Sequence, residues 1–418
     1  MRKTFLPFSP PWIGEEEIAE VVETLRSDWI TTGPKVGQFE QEFAAWIGAP
    51  AALALNSGTA ALHVALAALG IGPGDAVITT PMTFCSTVHV IEHVGARPIL
   101  VDVEPATLNI DPVEVARALQ RLKDQSPENS QAQVKAILPV HLYGHPCELD
   151  SLLEIASRHK LALVEDAAHS LPAKYKGKTI GSFAGSSPVP MLTAFSFYAT
   201  KNLATGEGGM LTGPAEMLEE ARIWSLHGMN RDAWKRYSSE GSWFYEVTCA
   251  GFKYNMADIQ AAIGLHQLRK LNMFNQRRIE IVRRYNEAFS AMEEFELPAD
   301  RDEVEHAWHL YVLRLNLDHL TISRNPFIEE LRARNIASSV HFIPVHLHPY
   351  YRDKYAYKPD DFPVAHREYN RLISLPLFPK MTDHDVDDVI NAVSDVARKH
   401  RVVNNRTYQP RLVGTGLD

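Results

Sequence analysis

A chain of 418 residues, 45% hydrophobic and 22% charged, with a mean hydropathy of −0.19, is too long for one ordinary core, and its makeup excludes a mostly disordered protein. A net charge of −9 and a pI near 6.1 argue against a general nucleic-acid binder but leave room for a local anion pocket. Cys85, Cys147 and Cys249 form no CxxC pair and leave an odd thiol, so a reduced compartment and no metal site are expected.

In chain order, Met1 to Pro11 starts basic but has no sustained apolar stretch before its prolines, and it does not read as a signal peptide. Ile18, Val21, Val22 and Leu25 recur at helical spacing, as do Phe39, Phe43 and Trp46, which predicts two short amphipathic helices around a loop over Ser27 to Pro34. From residue 51 short apolar runs alternate with helical segments. Strands are expected over Ala51 to Leu55, Ala76 to Thr80, Pro98 to Val101, Ala136 to Val140, Leu161 to Val164, Thr193 to Tyr198 and Gly209 to Thr212. Helices such as Gly58 to Leu69 and Pro112 to Leu122 separate several of them. Apolar strands without alternation are covered on both faces, so the fold class is α/β with a large, open, mostly parallel sheet.

Ala51 to Leu69 is the most apolar stretch, but Asn56, Ser57, Thr59 and His63 interrupt it, and no membrane span is expected. The protein should be cytoplasmic. Lys123 to Gln131 reads as a polar surface loop. Ala257 to Leu271 and Arg277 to Met292 read as two long helices. Beyond them a second, smaller α/β unit is expected, with strands over Trp308 to Leu315 and Ser338 to Phe342 and helices over Pro326 to Asn335 and His384 to Lys399. The division is therefore a large domain over 1–270, a small C-terminal domain over 271–403, and a tail over 404–418 with neither period nor core residues.

Four places carry chemistry. Asn56-Ser57-Gly58-Thr59 follows a strand and opens a helix, so it is either a phosphate cradle of backbone amides or an ordinary helix cap. Phe84, in the next strand-to-helix connection, is either a ring to stack on a planar ligand or a core phenylalanine. Asp166 ends an apolar strand, where open α/β sheets place ligands, and is either a helix cap or the partner of a buried cation. Lys201 ends the run Phe195-Ser196-Phe197-Tyr198-Ala199-Thr200 before a glycine-rich turn. Its flanking strand is too apolar for a water-exposed edge, so its amine should be desolvated and nucleophilic. A lysine and an aspartate at two strand ends suit pyridoxal phosphate: the amine condenses with the aldehyde and the carboxylate keeps the pyridinium protonated. Ser196 can add a hydroxyl to the phosphate.

With Trp29-Ile30-Thr31-Thr32-Gly33-Pro34, Asn56-Ser57-Gly58-Thr59, Glu165-Asp166-Ala167-Ala168-His169, Ser196 to Asn202, Glu207-Gly208-Gly209 and Gly251 to Ala262 in this order, the chain resembles the DegT/DnrJ/StrS sugar aminotransferases. Ala307 to Tyr311 and Ser374 to Pro379 extend the likeness, which is nearest to the branch acting on UDP-linked 4-keto sugars. The resemblance implies an aspartate-aminotransferase-like, fold type I enzyme that uses pyridoxal 5′-phosphate to move an amino group, from glutamate, to a keto sugar carried on a UDP or dTDP nucleotide. It implies that Lys201 forms the internal aldimine and shuttles the proton, and that Asp166 pairs with the ring nitrogen. Phe84 would stack on the ring, with His169 near its phenolic oxygen. Gly58, Thr59 and Ser196 would hold the phosphate together with Asn255 of the other subunit, hence a homodimer with shared sites. Trp29, Thr31, His227 and His346 are candidates for sugar contacts, with surface or core packing as the other reading.

Gly185 to Met191 replaces the family's short turn before the lysine strand, which bears on the placement of Ser196, and the tail has no counterpart. A histidine at the lysine position accompanies dehydration in some relatives, so Lys201 favours transamination. The other readings are a keto-cyclitol substrate, a dehydratase, or a noncatalytic regulator on the same fold.

Overall fold

The computed structural model describes residues 2–124, 132–229 and 244–402. The 404–418 tail and most of the Lys123 to Gln131 loop lie outside the described residues. Two helices, α1 (Glu15–Arg26) and α2 (Pro34–Ile47), lead into β1 (Ala51–Leu55), α3 (Gly58–Ala68), β2 (Asp75–Thr79), α4 (Ser86–His93), β3 (Arg97–Leu100), α5 (Pro112–Asp124), β4 (Gln133–Ile137), α6 (Leu149–His159) and β5 (Ala162–Asp166). A small hairpin, β6 (Lys174–Tyr175) and β7 (Lys178–Thr179), precedes β8 (Met191–Ser196), β9 (Gly209–Gly213) and α7 (Ala215–Ser225).

The seven expected strands form one sheet in the order β1-β9-β8-β5-β4-β2-β3. Strands β8, β5, β4, β2 and β3 pair in parallel, and β9 runs antiparallel to both β1 and β8. Neighbouring residues along each strand enter opposite cores. Ile78, Ile137, Leu163 and Phe195 pack with Phe39 and Phe43 of α2, whereas Val77, Ala136, Val164 and Ala194 pack with Leu62 and Val64 of α3 and Leu218 of α7. This two-sided burial explains the continuous apolar runs. It also sends Glu165 and Asp166 to opposite faces of β5.

Helix α8 (Asp258–Phe289) is one continuous helix of 32 residues, not the two helices expected. Asn272 to Gln276 contains no proline or glycine, and Phe274 is buried within it, so the polar stretch there does not break the helix. Its first half places Ala261, Leu265 and Leu268 in the core beneath the large sheet and its second half places Ile281, Tyr285 and Phe289 in a separate core around the C-terminal strands. The small domain adds β10 (Phe295–Glu296), β11 (Val304–Glu305), β12 (Tyr311–Leu315), α9 (Arg324–Ala333), α10 (Pro349–Tyr355), α11 (Pro363–Tyr369), β13 (Leu372–Leu375) and α12 (Asp383–Lys399), which Thr382 caps through Asp385 N. Strands β10, β12 and β13 form an antiparallel sheet, and β11 pairs with β6 of the hairpin before β8.

The strand expected over Ser338 to Phe342 is reduced to one bridge, Ser339 to Ser374, because the chain turns away to line the cavity with His341 and Phe342. Helix α1 is amphipathic as expected, but its stripe faces outward. Ile18, Val22 and Leu25 are exposed, while Glu17 and Thr24 are buried. No described helix is long and apolar enough to cross a membrane.

Candidate active site

The carboxyl ends of β5 and β8 open on a cavity of about 470 Å³. Lys201 sits on the turn after β8, where its amide donates to Tyr198 O at 2.8 Å. Gly206, at φ 83°, takes the chain back so that Phe197 N meets Gly208 O at 2.8 Å and β9 begins. Strand β8 lies inside the sheet, which removes the surface-hairpin reading of Lys201. Burial pushes the Lys201 amine down to about 8, against the pull of Asp166 in the other direction.

Asp166 is buried, with Oδ2 accepting from the Thr87 hydroxyl at 2.7 Å and Oδ1 from the Ala168 amide at 3.1 Å. Burial raises its carboxyl above the ordinary value, opposed by these two donors and by the Lys201 charge. Across the cavity, Ser57 caps α3 by accepting from Ala60 N at 3.0 Å, and among the described residues the amides of Gly58 and Thr59 have no partner. A Cβ on Gly58 would stand 2.8 Å from Ser196 Cβ, and one on Gly209 would stand 2.4 Å from Ser57 O. Both glycines are therefore there so that the helix end, β8 and β9 can meet.

Gly58, Thr59, Phe84, Asp166, His169, Ser196 and Lys201 all line this cavity. Phe84 is 58% exposed, which rules out the core reading. Burial drives the His169 imidazole well below its usual value, helped by Lys201 and His341, so the ring is neutral. Ser196 keeps its place despite the altered entry to its strand. Free amides at a helix end, a ring wall, a desolvated lysine and a buried carboxylate suit the phosphate, ring, aldehyde and ring nitrogen of pyridoxal phosphate.

Five expected residues lie outside the cavity. His346 is sealed in the small domain 4.8 Å from the Phe362 ring, with neither ring nitrogen hydrogen-bonded, so its role in sugar contact is corrected to core packing. Trp29, Thr31 and His227 are exposed, and Trp29 Nε1 donates to Thr32 O at 3.0 Å. Asn255 Nδ2 donates to Thr32 Oγ1 at 2.6 Å. The cavity also holds residues not expected from the sequence: Phe8, Ser9, Tyr198, Thr200, Glu207, His309, His341 and Phe342. His309 and His341 come from the small domain and approach Lys201 through tertiary folding, so no local pattern marks them. Thr87 lies four residues after Thr83 on the segment that carries Phe84, and that helical spacing was a usable signal. Among the described residues no group of three His, Cys, Asp or Glu side chains is placed to hold a metal.

This fold and site define a fold type I pyridoxal phosphate enzyme, an aminotransferase. The chain belongs to the DegT/DnrJ/EryC1/StrS aminotransferase family, which it matches over residues 11–394. It is 51% identical over 399 residues to the spore coat polysaccharide biosynthesis protein SpsC of Bacillus subtilis, covering 95% of this chain and 98% of that one. It is 52% identical over 402 residues to an uncharacterized protein of Methanocaldococcus jannaschii, covering 96% and 100% of the two chains. Its structure is similar to the PMP form of the putative sugar aminotransferase Spr1654 from Streptococcus pneumoniae, with a TM-score of 0.84 and 36% identity over 94% of this chain and 99% of that one. The protein is thus a pyridoxal phosphate-dependent aminotransferase of this family.

Proposed function

We propose that the enzyme moves the amino group of glutamate to the keto carbon of a nucleotide-linked sugar, a UDP- or dTDP-4-keto sugar, for polysaccharide synthesis. The observation that carries this reading is the partly desolvated Lys201 beside Asp166 in a cavity walled by Phe84, Tyr198 and Phe342, since aromatic faces suit both a pyridine ring and the apolar face of a sugar. Bound pyridoxal phosphate supplies an aldehyde for amine capture and a ring that accepts electrons. Lys201, with its pKa held at about 8, can both accept and return a proton near neutral pH, the requirement for moving it between two carbons. Asp166 would hold the ring nitrogen and keep it protonated. The Gly58 and Thr59 amides and the Ser196 hydroxyl would hold the phosphate, Phe84 would pack on the ring and His169 would serve its phenolic oxygen.

The working unit is a homodimer. Asn255 sits outside its own chain's cavity, and an apolar surface over Ile18, Val22, Leu25, Trp29 and Ile30 is available for a second copy. Asn255 then completes the partner's phosphate site, and Trp29, Thr31 and His227 contact the partner's sugar.

The test is amination by the purified enzyme, with glutamate, of a panel of UDP- and dTDP-4-keto sugars and an inosose, read as 2-oxoglutarate release. Turnover of the cyclitol alone would sink the nucleotide-sugar reading.

A further inference from the structure

Asn202, the residue after Lys201, has a fixed amide orientation. Its Nδ2 donates to Leu171 O and to Ala307 O, each at 2.9 Å, so its Oδ1 is the atom that faces His309 Nδ1 at 3.2 Å. An oxygen there requires a hydrogen on Nδ1. Burial keeps the His309 ring neutral, far below its usual value, so its Nε2 carries a bare lone pair. Among the described residues that nitrogen has no hydrogen-bond partner, and the ring lines the cavity that holds Lys201. His169 is the opposite tautomer. Its Nδ1 accepts from the Tyr143 amide at 3.2 Å, which leaves a hydrogen on Nε2. The two rings lie side by side with centroids 4.4 Å apart and planes tilted by 36°, one offering a donor and the other an acceptor.

The His309 backbone is held as firmly as its ring. Arg278 is buried in α8 and donates from one nitrogen to Trp308 O at 3.2 Å, His309 O at 3.3 Å and Leu377 O at 2.7 Å. Trp308 takes a left-handed conformation at φ 46°, which a bulky residue adopts only when its surroundings hold it there.

We propose that the Lys201 amine, when it holds its extra proton, turns across the shared cavity to donate to His309 Nε2, with Asn202 fixing the tautomer, so that His309 acts as the positioning residue for the proton-carrying lysine. In a site with little water, the charged lysine needs an acceptor besides Asp166 whenever it holds the extra proton, and an imidazole lone pair provides one without adding a charge. The other titratable groups facing the amine are Asp166 on β5, His169, His341 and Glu207, with Arg278 behind His309. The inference rests on the reading of Lys201 as the cofactor-capturing lysine.

An acceptor stabilises the ammonium, so removing it lowers the Lys201 pKa. The full chain, freed of cofactor, is mixed with pyridoxal phosphate across a pH series, trapped with borohydride, and labelled Lys201 is counted by mass spectrometry. Titration of the reagent is common to every variant. The midpoint in His309→Phe should fall by about one pH unit relative to wild type, the order expected for one hydrogen bond to a charged group. His309→Gln, which restores an oxygen acceptor, should stay within a few tenths of a unit of wild type. A midpoint that is unmoved or raised in His309→Phe overturns the proposal. Independently of any variant's folding, ¹⁵N NMR of the histidine-labelled wild-type protein should show His309 protonated at Nδ1, and a hydrogen on Nε2 would overturn it equally. Absence of label on wild-type Lys201 refutes the cofactor reading itself, and this inference with it.

Discussion

The Thr87 hydroxyl donates to Asp166 Oδ2 at 2.7 Å, and the Thr83 hydroxyl stands 2.7 Å from that of Thr87, so two hydroxyls in series back the carboxylate from inside the protein. Burial alone would raise Asp166 further, and Thr87 is the largest opposing cause. In the proposed role the carboxylate must stay ionised to pair with a protonated ring nitrogen. In Thr87→Val the Asp166 pKa rises again, and activity is lost as pH falls through that higher value. The acid limb of the kcat/KM profile should move up by about one pH unit, while Thr87→Ser keeps the wild-type limb. A uniform drop with an unmoved limb would show that Thr87 serves packing alone.

Lys201 also leaves a mark on stability. Its amine ordinarily titrates at 10.5 and in the fold at about 8. Between those values the unfolded chain binds more protons than the native one, so stability rises with pH across that window and is at its lowest below about 8. The cofactor-free Lys201→Met protein has no such group. Relative to wild type it should be stabler by about 3 kcal/mol at pH 7, with the gap closing as pH rises beyond 10. Urea midpoints of both proteins at the two pH values measure this, and a gap independent of pH would place the amine in water.

Most of the site was legible in the sequence because strand ends are local features. Lys201, Asp166 and the Ser57-Gly58 turn each follow an apolar run, and the sheet brings those run ends together. The sheet itself was legible because burial on both faces gives continuous apolar strands. His309 and His341 were not, since they reach the cavity from more than a hundred residues beyond Lys201 and lie outside helices and strands, where no periodicity marks them. The single helix α8 was misread as two because a polar stretch can be a solvated helix face as readily as a break. The outward face of α1 was hidden for a related reason: an apolar stripe has the same spacing whichever way it points.

Gly58 and Gly37 make a paired test of the cradle. A Cβ at position 58 meets Ser196 Cβ at 2.8 Å and Ser196 Cα at 3.2 Å, and the latter belongs to a buried central strand. A Cβ at position 37, on α2, meets nothing within 4 Å. Gly58→Ala should therefore push α3 off β8, weaken pyridoxal phosphate binding about tenfold in equilibrium dialysis, and cost about 1–3 kcal/mol of stability from overpacking. Gly37→Ala should keep full affinity and gain up to about 1 kcal/mol from helix propensity. Equal cofactor affinity in the two variants would refute the close-approach role of Gly58.

Helix α1 turns Glu17 inward, where its carboxylate accepts from Gln267 Nε2 at 2.8 Å and pairs with Lys270 at 2.7 Å, and leaves Ile18, Val22 and Leu25 at 49%, 37% and 53% exposure. A helix arranged this way spends its polar residues on α8 and keeps its apolar ones for another surface. Fully burying such side chains stabilises an association by about 1.5–3 kcal/mol each. The double variant Ile18→Asp/Val22→Asp adds two charges to that face without touching the contacts of Glu17. It should keep the far-UV signature of the fold and sediment as a monomer, against the proposed dimer expected of wild type, and retain cofactor poorly, as the proposed reach of Asn255 into a partner's phosphate site requires. A variant that stays dimeric would place the subunit contact elsewhere on the molecule, and one that is monomeric with undiminished cofactor affinity would remove Asn255 from the phosphate site.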